Sequence, residues 1–189
     1  MSDISSKTLV PSLLVSMPQL NDPEFCRTVV LLCEYRNEGA FGLILNRDTQ
    51  IAVADVIEFN PPVINRGEAA LKLSHGGPVD PQSGWILMGQ EPEDEDFIRI
   101  CEGVYLSRSI HLLRTLVENF SPPETRFISG YAGWEAGQLD TELSNSAWLI
   151  TDVDKEVLFN TSSANMWETV IRRLGVDPAL LQMGGKEAH

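Results

Sequence analysis

The spacing of apolar and polar positions predicts many short strands and a few helices. Residues 28–33 form an unbroken β-branched and apolar run, which is typical of a strand covered on both faces. Apolar positions at helical spacing predict helices over residues 110–120, capped by Ser107, and over residues 163–174, ended by Gly175. Further strands are predicted at residues 9–17, 41–46, 71–74, 84–88, 97–100, 103–106, 126–129, 147–151 and 156–159, with shorter helices at 53–58 and 139–143. These elements neither alternate regularly nor separate into blocks, and this order favours an irregular α+β fold.

The length of 189 residues fits one domain with a core of ordinary size. Hydrophobic residues make up 43% and charged residues 22% of the chain, as in a typical globular protein. The three cysteines lack CxxC spacing and have mostly apolar neighbours, so we expect reduced, buried thiols. Neither a secretory signal nor a run of roughly 20 apolar residues is apparent, and we therefore expect a cytoplasmic protein without membrane contact.

The charge balance argues against nucleic acid as a direct partner. The chain has 27 acidic and 14 basic residues, for a formal net charge of -13. Such a surface repels phosphate backbones unless its cations are concentrated in one patch, and here they are scattered. An unidentified small ligand or protein is the expected partner.

The segment 130–139 is the first candidate site. Its glycines permit positive φ angles and close backbone approach, while two aromatic rings, a carboxylate and an amide offer contacts for a ligand. The segment either fixes a small ligand or lets a helix pack closely against the sheet, and both interpretations stay open. The candidate binding residues are Tyr131, Gly133, Trp134, Glu135, Gly137 and Gln138.

The sequence His75-Gly76-Gly77-Pro78 is the second candidate site. Its glycines could aim successive N–H groups at an anion, with His75 supplying a proton near neutral pH. Alternatively the segment is a tight turn between strands, since it lacks the spacing of a phosphate-binding loop.

Polar residues beside two apolar strands form a third candidate. Asp22 with Arg27, and Asn46 with Arg47, could make turn hydrogen bonds or an ion pair that closes one end of the sheet. Alternatively they line one cleft together with the glycine-rich segments.

Catalytic chemistry finds little support in the sequence. Histidines at positions 75, 111 and 189 are too scattered to indicate a triad or a metal centre, so we expect neither metal nor cofactor. An enzyme using Glu135 or His75 as acid or base remains the alternative, and it requires a concave pocket around one of them.

Several blocks of the chain together resemble the AlgH/YqgE family of bacterial proteins. They lie at residues 13–18, 22–25, 27–30, 42–47, 76–79, 84–87 and 130–139. The resemblance implies a single α+β domain with a mixed, curved, barrel-like β core surrounded by helices. It places that AlgH-like domain at residues 9–181, between a loose segment at 1–8 and a loose tail at 182–189. Family members often end in Gly-His-Ala, whereas this chain ends in Lys-Glu-Ala-His.

For function, the resemblance implies a protein without an established activity, many of whose relatives are described as transcriptional regulators. The leading hypothesis is a non-enzymatic cytoplasmic module that binds a small ligand or a protein partner. One alternative is a transcriptional regulator that acts indirectly or through DNA. Because no helix-turn-helix or zinc-finger pattern is present, an indirect effect is favoured. The other alternative is an enzyme with a small pocket at the glycine-rich segments.

Overall fold

The computed structural model of the chain describes residues 9–64 and 67–184. The segment 1–8 and residues 185–189, both predicted to be loose, lie outside the described residues. The last helix continues through Gly184, three residues into the predicted tail.

The described part of the chain contains ten strands and six helices. The strands are β1 (Ser12–Ser16), β2 (Val29–Arg36), β3 (Gly39–Ile44), β4 (Asp48–Ala52), β5 (Lys72–His75), β6 (Val79–Met88), β7 (Phe97–Cys101), β8 (Val104–Ser107), β9 (Thr125–Glu135) and β10 (Trp148–Thr151). The helices are α1 (Val53–Val56), α2 (Ile110–Glu118), α3 (Gln138–Ser144), α4 (Lys155–Asn160), α5 (Ser163–Arg173) and α6 (Pro178–Gly184).

These strands form one strongly curved sheet. Its order is β10-β1-β2-β3-β9-β6-β8-β7, and β5 joins β4 to β9. The β5–β9 pair is parallel and the other pairs are antiparallel, so the sheet is mixed. A single α+β domain with a mixed, curved, half-barrel core and helices around it confirms the predicted fold.

Apolar side chains fill both faces of the sheet. One face packs against α5, whose buried Trp167 also donates its Nε1–H to the Ser16 carbonyl at 2.9 Å. On the other face, α3 covers one end of the sheet and α2 covers the other. Each fully buried aliphatic side chain of α2 contributes roughly 1.5–3 kcal/mol relative to its exposed state. These side chains are Leu112, Leu113, Leu116 and Val117.

Three local predictions were wrong. Residues 156–159 are helical rather than a strand, because the Asp154 carboxylate caps α4 by accepting the Glu156 N–H at 2.8 Å. Helix α2 is capped by Ser109 and not by Ser107. The edge strand β4 was missed, since its exposed polar residues show only weak strand character. Helix α4 was predicted as a strand because its apolar run is too short for periodicity to distinguish a helix from a strand.

The cysteine prediction also needs correction. All three thiols are unpaired, but Cys26 is exposed on the turn before β2, whereas Cys33 and Cys101 are partly buried.

Candidate functional site

The two glycine-rich segments meet backbone to backbone. Gly76 donates its N–H to the Ser129 carbonyl at 2.7 Å, and its own carbonyl accepts from Ile44 at 2.8 Å. A Cβ on Gly77 would lie 2.2 Å from the Tyr131 carbonyl, and one on Gly130 would lie 2.5 Å from the Gly77 oxygen. The glycines therefore allow a close approach of two chains.

This contact corrects the interpretation of residues 75–78 as an anion-binding loop. An anion nest needs successive N–H groups that face solvent. Here the Gly76 N–H is already bonded within the protein, and Gly77 is buried against the Tyr131 backbone. His75 is half-exposed beside Glu24, with 3.4 Å between Nε2 and the carboxylate oxygen.

Trp134 does not offer the stacking face that the sequence predicts. Its side chain is buried, and its Nε1–H donates to Oε2 of Glu142 at 2.9 Å. The same oxygen accepts the Trp148 Nε1–H at 2.7 Å, and the other carboxylate oxygen accepts from Gln138 at 2.9 Å. Glu142 thus joins β9, α3 and β10, a role that sequence reasoning missed.

The remaining residues of segment 130–139 have separate positions. Glu135 is exposed, and its N–H donates to the Gln138 side chain at 3.0 Å. Gly137 takes φ +73° directly before α3, and Gly133 is exposed near the Tyr131 ring. The segment up to Glu135 is strand β9, so the strand-to-helix junction begins later than predicted.

The polar residues before β2 and after β3 form turn contacts, as one of the two predictions states. Asp22 accepts the Glu24 N–H at 2.9 Å. Asn46 is buried, accepts from Val29 at 2.9 Å and donates to the Arg27 carbonyl at 2.8 Å. The guanidinium of Arg27 pairs with Glu168 at 3.2 Å rather than with Asp22.

An ionic link that the sequence did not reveal joins β4 to β9 and α5. Asp48 accepts from Arg126 at 2.5 Å, from Ser74 at 2.8 Å and from Ser163. Burial alone would raise the pKa of Asp48, but the Ser163 hydrogen bond, the Arg126 charge and the Ser74 hydrogen bond together hold it below its ordinary value.

A concave site opens elsewhere, between α1 and α2. This α1–α2 cleft has a volume of about 620 Å³ and lies over the sheet at β6 and β9. Its walls are mostly apolar, formed by Val56, Ile57, Leu73, Ile86, Ile110, Leu113 and Phe127. Its polar side chains are Gln82, Ser83, Arg108, Ser109 and Ser129.

Arg108 is the charged group of this cleft. Its guanidinium lies 4.7 Å above the Trp85 ring and donates to Ser83 Oγ at 3.2 Å. Trp85 in turn packs on Phe41 at 4.8 Å between ring centroids, and Phe41 packs on Tyr131 at 5.1 Å. Of the predicted binding residues, Tyr131 is therefore linked to Arg108 through a row of aromatic rings that lies outside the cleft lining.

No local sequence signal marks the cleft. Arg108 is a single cation between two serines, and the apolar wall residues also satisfy the pattern of a core. The predicted residues His75, Trp134 and Glu135 lie outside its lining. Within residues 9–64 and 67–184, no group of three or more histidine, cysteine or carboxylate side chains could hold a metal ion.

Comparison with known sequences identifies the family. The sequence model of the AlgH-like family matches residues 13–179, and the chain belongs to this family. A UPF0301 protein from Myxococcus xanthus is 36% identical over 178 residues, covering 94% of this chain and 97% of the relative. A UPF0301 protein from Pseudomonas fluorescens is 36% identical over 186 residues, covering 96% of each chain. The predicted resemblance is thus confirmed.

Solved structures support the same assignment. The solution structure of the AlgH protein from Pseudomonas aeruginosa matches with a TM-score of 0.76 and 31% identity, covering 100% of this chain and 99% of that chain. The crystal structure of a protein from Corynebacterium diphtheriae matches with a TM-score of 0.67 and 25% identity, covering 92% and 90%. Among the described helices, none combines the length and the apolar character needed to cross a membrane.

Proposed function

We propose that this protein is a non-enzymatic module that binds a small molecule in the α1–α2 cleft. The observation that carries the proposal is the cleft itself, with about 620 Å³ of space, mostly apolar walls and a few polar groups. Binding sites for small molecules are typically concave, mostly apolar and about 300–1,000 Å³ in volume.

The composition of the cleft supports binding over acid–base catalysis. Among the described residues that line it, Arg108 is the one charged side chain, and none is histidine, lysine, aspartate or glutamate. General acid–base catalysis needs a group that exchanges protons near neutral pH. Ser109 donates to the Asp94 carboxylate, but no histidine lies among the described lining residues to take a proton from a cleft serine.

A regulatory effect would then depend on occupancy of the cleft. The net charge of -13 opposes direct contact with phosphate backbones. Ligand-dependent association with another protein is the route that this composition favours.

The proposal is tested with N-phenyl-1-naphthylamine, a neutral dye that fluoresces in apolar sites. We expect saturable binding to the natural chain. Ile110→Trp and Val56→Trp, on opposite rims, should each weaken it about tenfold by filling the cleft. The matched control is Ile98→Trp on β7, because Ile98 is 59% exposed and Ile110 is 61% exposed. Equal binding to both rim variants and the control would contradict the proposal, provided that circular dichroism shows all variants folded.

A further inference from the structure

We propose that the ligand of the α1–α2 cleft is an organic anion: a small apolar body with one acidic group that pairs with Arg108. The inference rests on the proposed function and adds the chemical class of the ligand.

The charge of the lining residues favours an anionic ligand. The chain carries 27 acidic residues, yet none of the described residues lining this cleft is Asp or Glu. Four other clefts on the described surface each include at least one carboxylate among their lining residues. Among the described lining residues, an entering anion therefore meets one cation and no carboxylate.

The contacts around Arg108 leave its guanidinium able to bind an anion. No carboxylate of the described chain lies within salt-bridge distance of its guanidinium. Stacking on Trp85 and the hydrogen bond to Ser83 hold the planar group in place. Ser83 is itself buried, with 6% exposure, so the contact is anchored in the sheet. A guanidinium has five N–H donors, and the Ser83 contact uses one of them, which leaves donors for a carboxylate or a similar oxyanion.

Arg108, rather than the nearby N-terminus of α2, is the anion-binding group. Helix α2 begins beside the cleft, and its positive dipole end could attract an anion. Asp94, however, accepts a hydrogen bond from the Ser109 hydroxyl at this helix end. The dipole is thereby already compensated, and Arg108 remains the group that selects the anion.

The apolar walls of the cleft determine the character of the rest of the ligand. One arginine is the only cation among the described lining residues, while eight apolar side chains, Pro81 among them, surround the remaining space. A small inorganic anion would leave these apolar walls in contact with water. A ligand with a hydrocarbon or aromatic body covers them, and each buried CH₂ group contributes about 0.8 kcal/mol.

The test compares two dyes with the same aromatic body. 8-Anilinonaphthalene-1-sulfonate carries an acidic group, and N-phenyl-1-naphthylamine carries none. We expect Arg108→Gln to weaken binding of the sulfonate dye about 5- to 20-fold, while the neutral dye changes less than twofold. Arg99→Gln on β7 removes a charge away from the cleft and should leave both dyes unaffected. Ile110→Trp should weaken both.

The outcomes are distinguishable. If Arg108→Gln and Arg99→Gln have the same effect on the sulfonate dye while Ile110→Trp still blocks the neutral dye, the anion inference is wrong and the proposed function stands. If Arg108→Gln weakens both dyes equally, Arg108 only shapes the cleft and the inference is overturned. If neither dye responds to Ile110→Trp, the proposed function fails and the inference fails with it.

Discussion

The indole N–H groups of Trp134 and Trp148 donate to one and the same oxygen, Oε2 of Glu142, at 2.9 and 2.7 Å. The two rings lie 6.0 Å apart in an edge-to-face arrangement and are both buried. This shared acceptor fastens β9 and β10 to α3. Trp134, one of the two aromatic residues of segment 130–139 that were predicted to contact a ligand, therefore belongs to the core.

Removal of the Glu142 carboxylate should destabilise the fold strongly. In Glu142→Ala, two buried indole N–H groups lose their acceptor, and we expect the free energy of unfolding to fall by about 2–4 kcal/mol. Glu142→Gln keeps one acceptor oxygen and should lose roughly 1 kcal/mol. Urea denaturation measures both. Exposed Glu135→Ala serves as the control and should change stability by less than about 0.5 kcal/mol; a similar loss in Glu135→Ala and Glu142→Ala would refute the shared-acceptor role.

Two glycines with positive φ should respond differently to alanine. Gly77 (φ +148°) has the Tyr131 backbone 2.2 Å from an added Cβ, whereas Gly137 (φ +73°) has no heavy atom within 4 Å of one. Gly137→Ala adds backbone strain alone, about 1 kcal/mol, while Gly77→Ala adds a clash with main-chain atoms and should cost more than about 3 kcal/mol. Thermal unfolding of the two variants measures the difference in stability. Equal melting temperatures for Gly77→Ala and Gly137→Ala would show that β9 and residues 76–77 are not in close contact.

The Asp48 link predicts a stability difference that depends on pH. Because the folded-state pKa of Asp48 lies below its ordinary value of about 3.8, its stabilising contribution is fully present above that value. It is lost as pH falls through the folded pKa. The stability gap between the natural chain and Asp48→Asn should therefore shrink progressively below about pH 4.5. Chemical denaturation between pH 3 and pH 7 measures the gap, with Asp152→Asn on the turn after β10 as control; a gap that widens on acidification would reverse the sign and reject the link.

The three thiols should differ in reactivity. Burial raises the pKa of the Cys33 thiol far above its usual range, with a further increase from Glu34, and burial also raises the pKa of Cys101. A higher pKa lowers the fraction of reactive thiolate. With an aromatic disulfide reagent at pH 8, we expect exposed Cys26 to react at least about tenfold faster than the other two.

Cys26→Ser provides the control for this experiment. It should remove the fast phase and leave the slow phases unchanged, while urea should expose the remaining thiols. A fast phase that persists in Cys26→Ser would mean that Cys33 or Cys101 is accessible.

Much of the fold was predictable because local patterns and tertiary burial agree. The continuous apolar run of β2 and the helical spacing of α5 each carry their own signal. Strand β4 and helix α4 carry weaker signals: β4 is polar and pairs with β5 across a long loop, and α4 has only a short apolar run. The pairing of β4 with β5 and the capping of α4 by Asp154 determine these two elements.

The candidate site was far less predictable. Segment 130–139 was identified as special, and Gly130 is indeed needed where β9 meets residues 76–77. The same residue types serve binding and close packing equally well, so composition could not separate Trp134 in a core from Trp134 on a surface. Arg108 gave no signal, since a single arginine between serines is ordinary on a protein surface.

By itself, the sequence determined the α+β class, most strand and helix positions and the acidic surface, because these follow from local periodicity and from composition. Only the tertiary structure decided which side chains line a cavity and which fill the core. The α1–α2 cleft draws on α1, β5, β6, α2 and β9, elements brought together by sheet order and helix packing. The position of Arg108 over Trp85 likewise depends on the neighbouring pairing of β6 with β8, a long-range contact that no local pattern records.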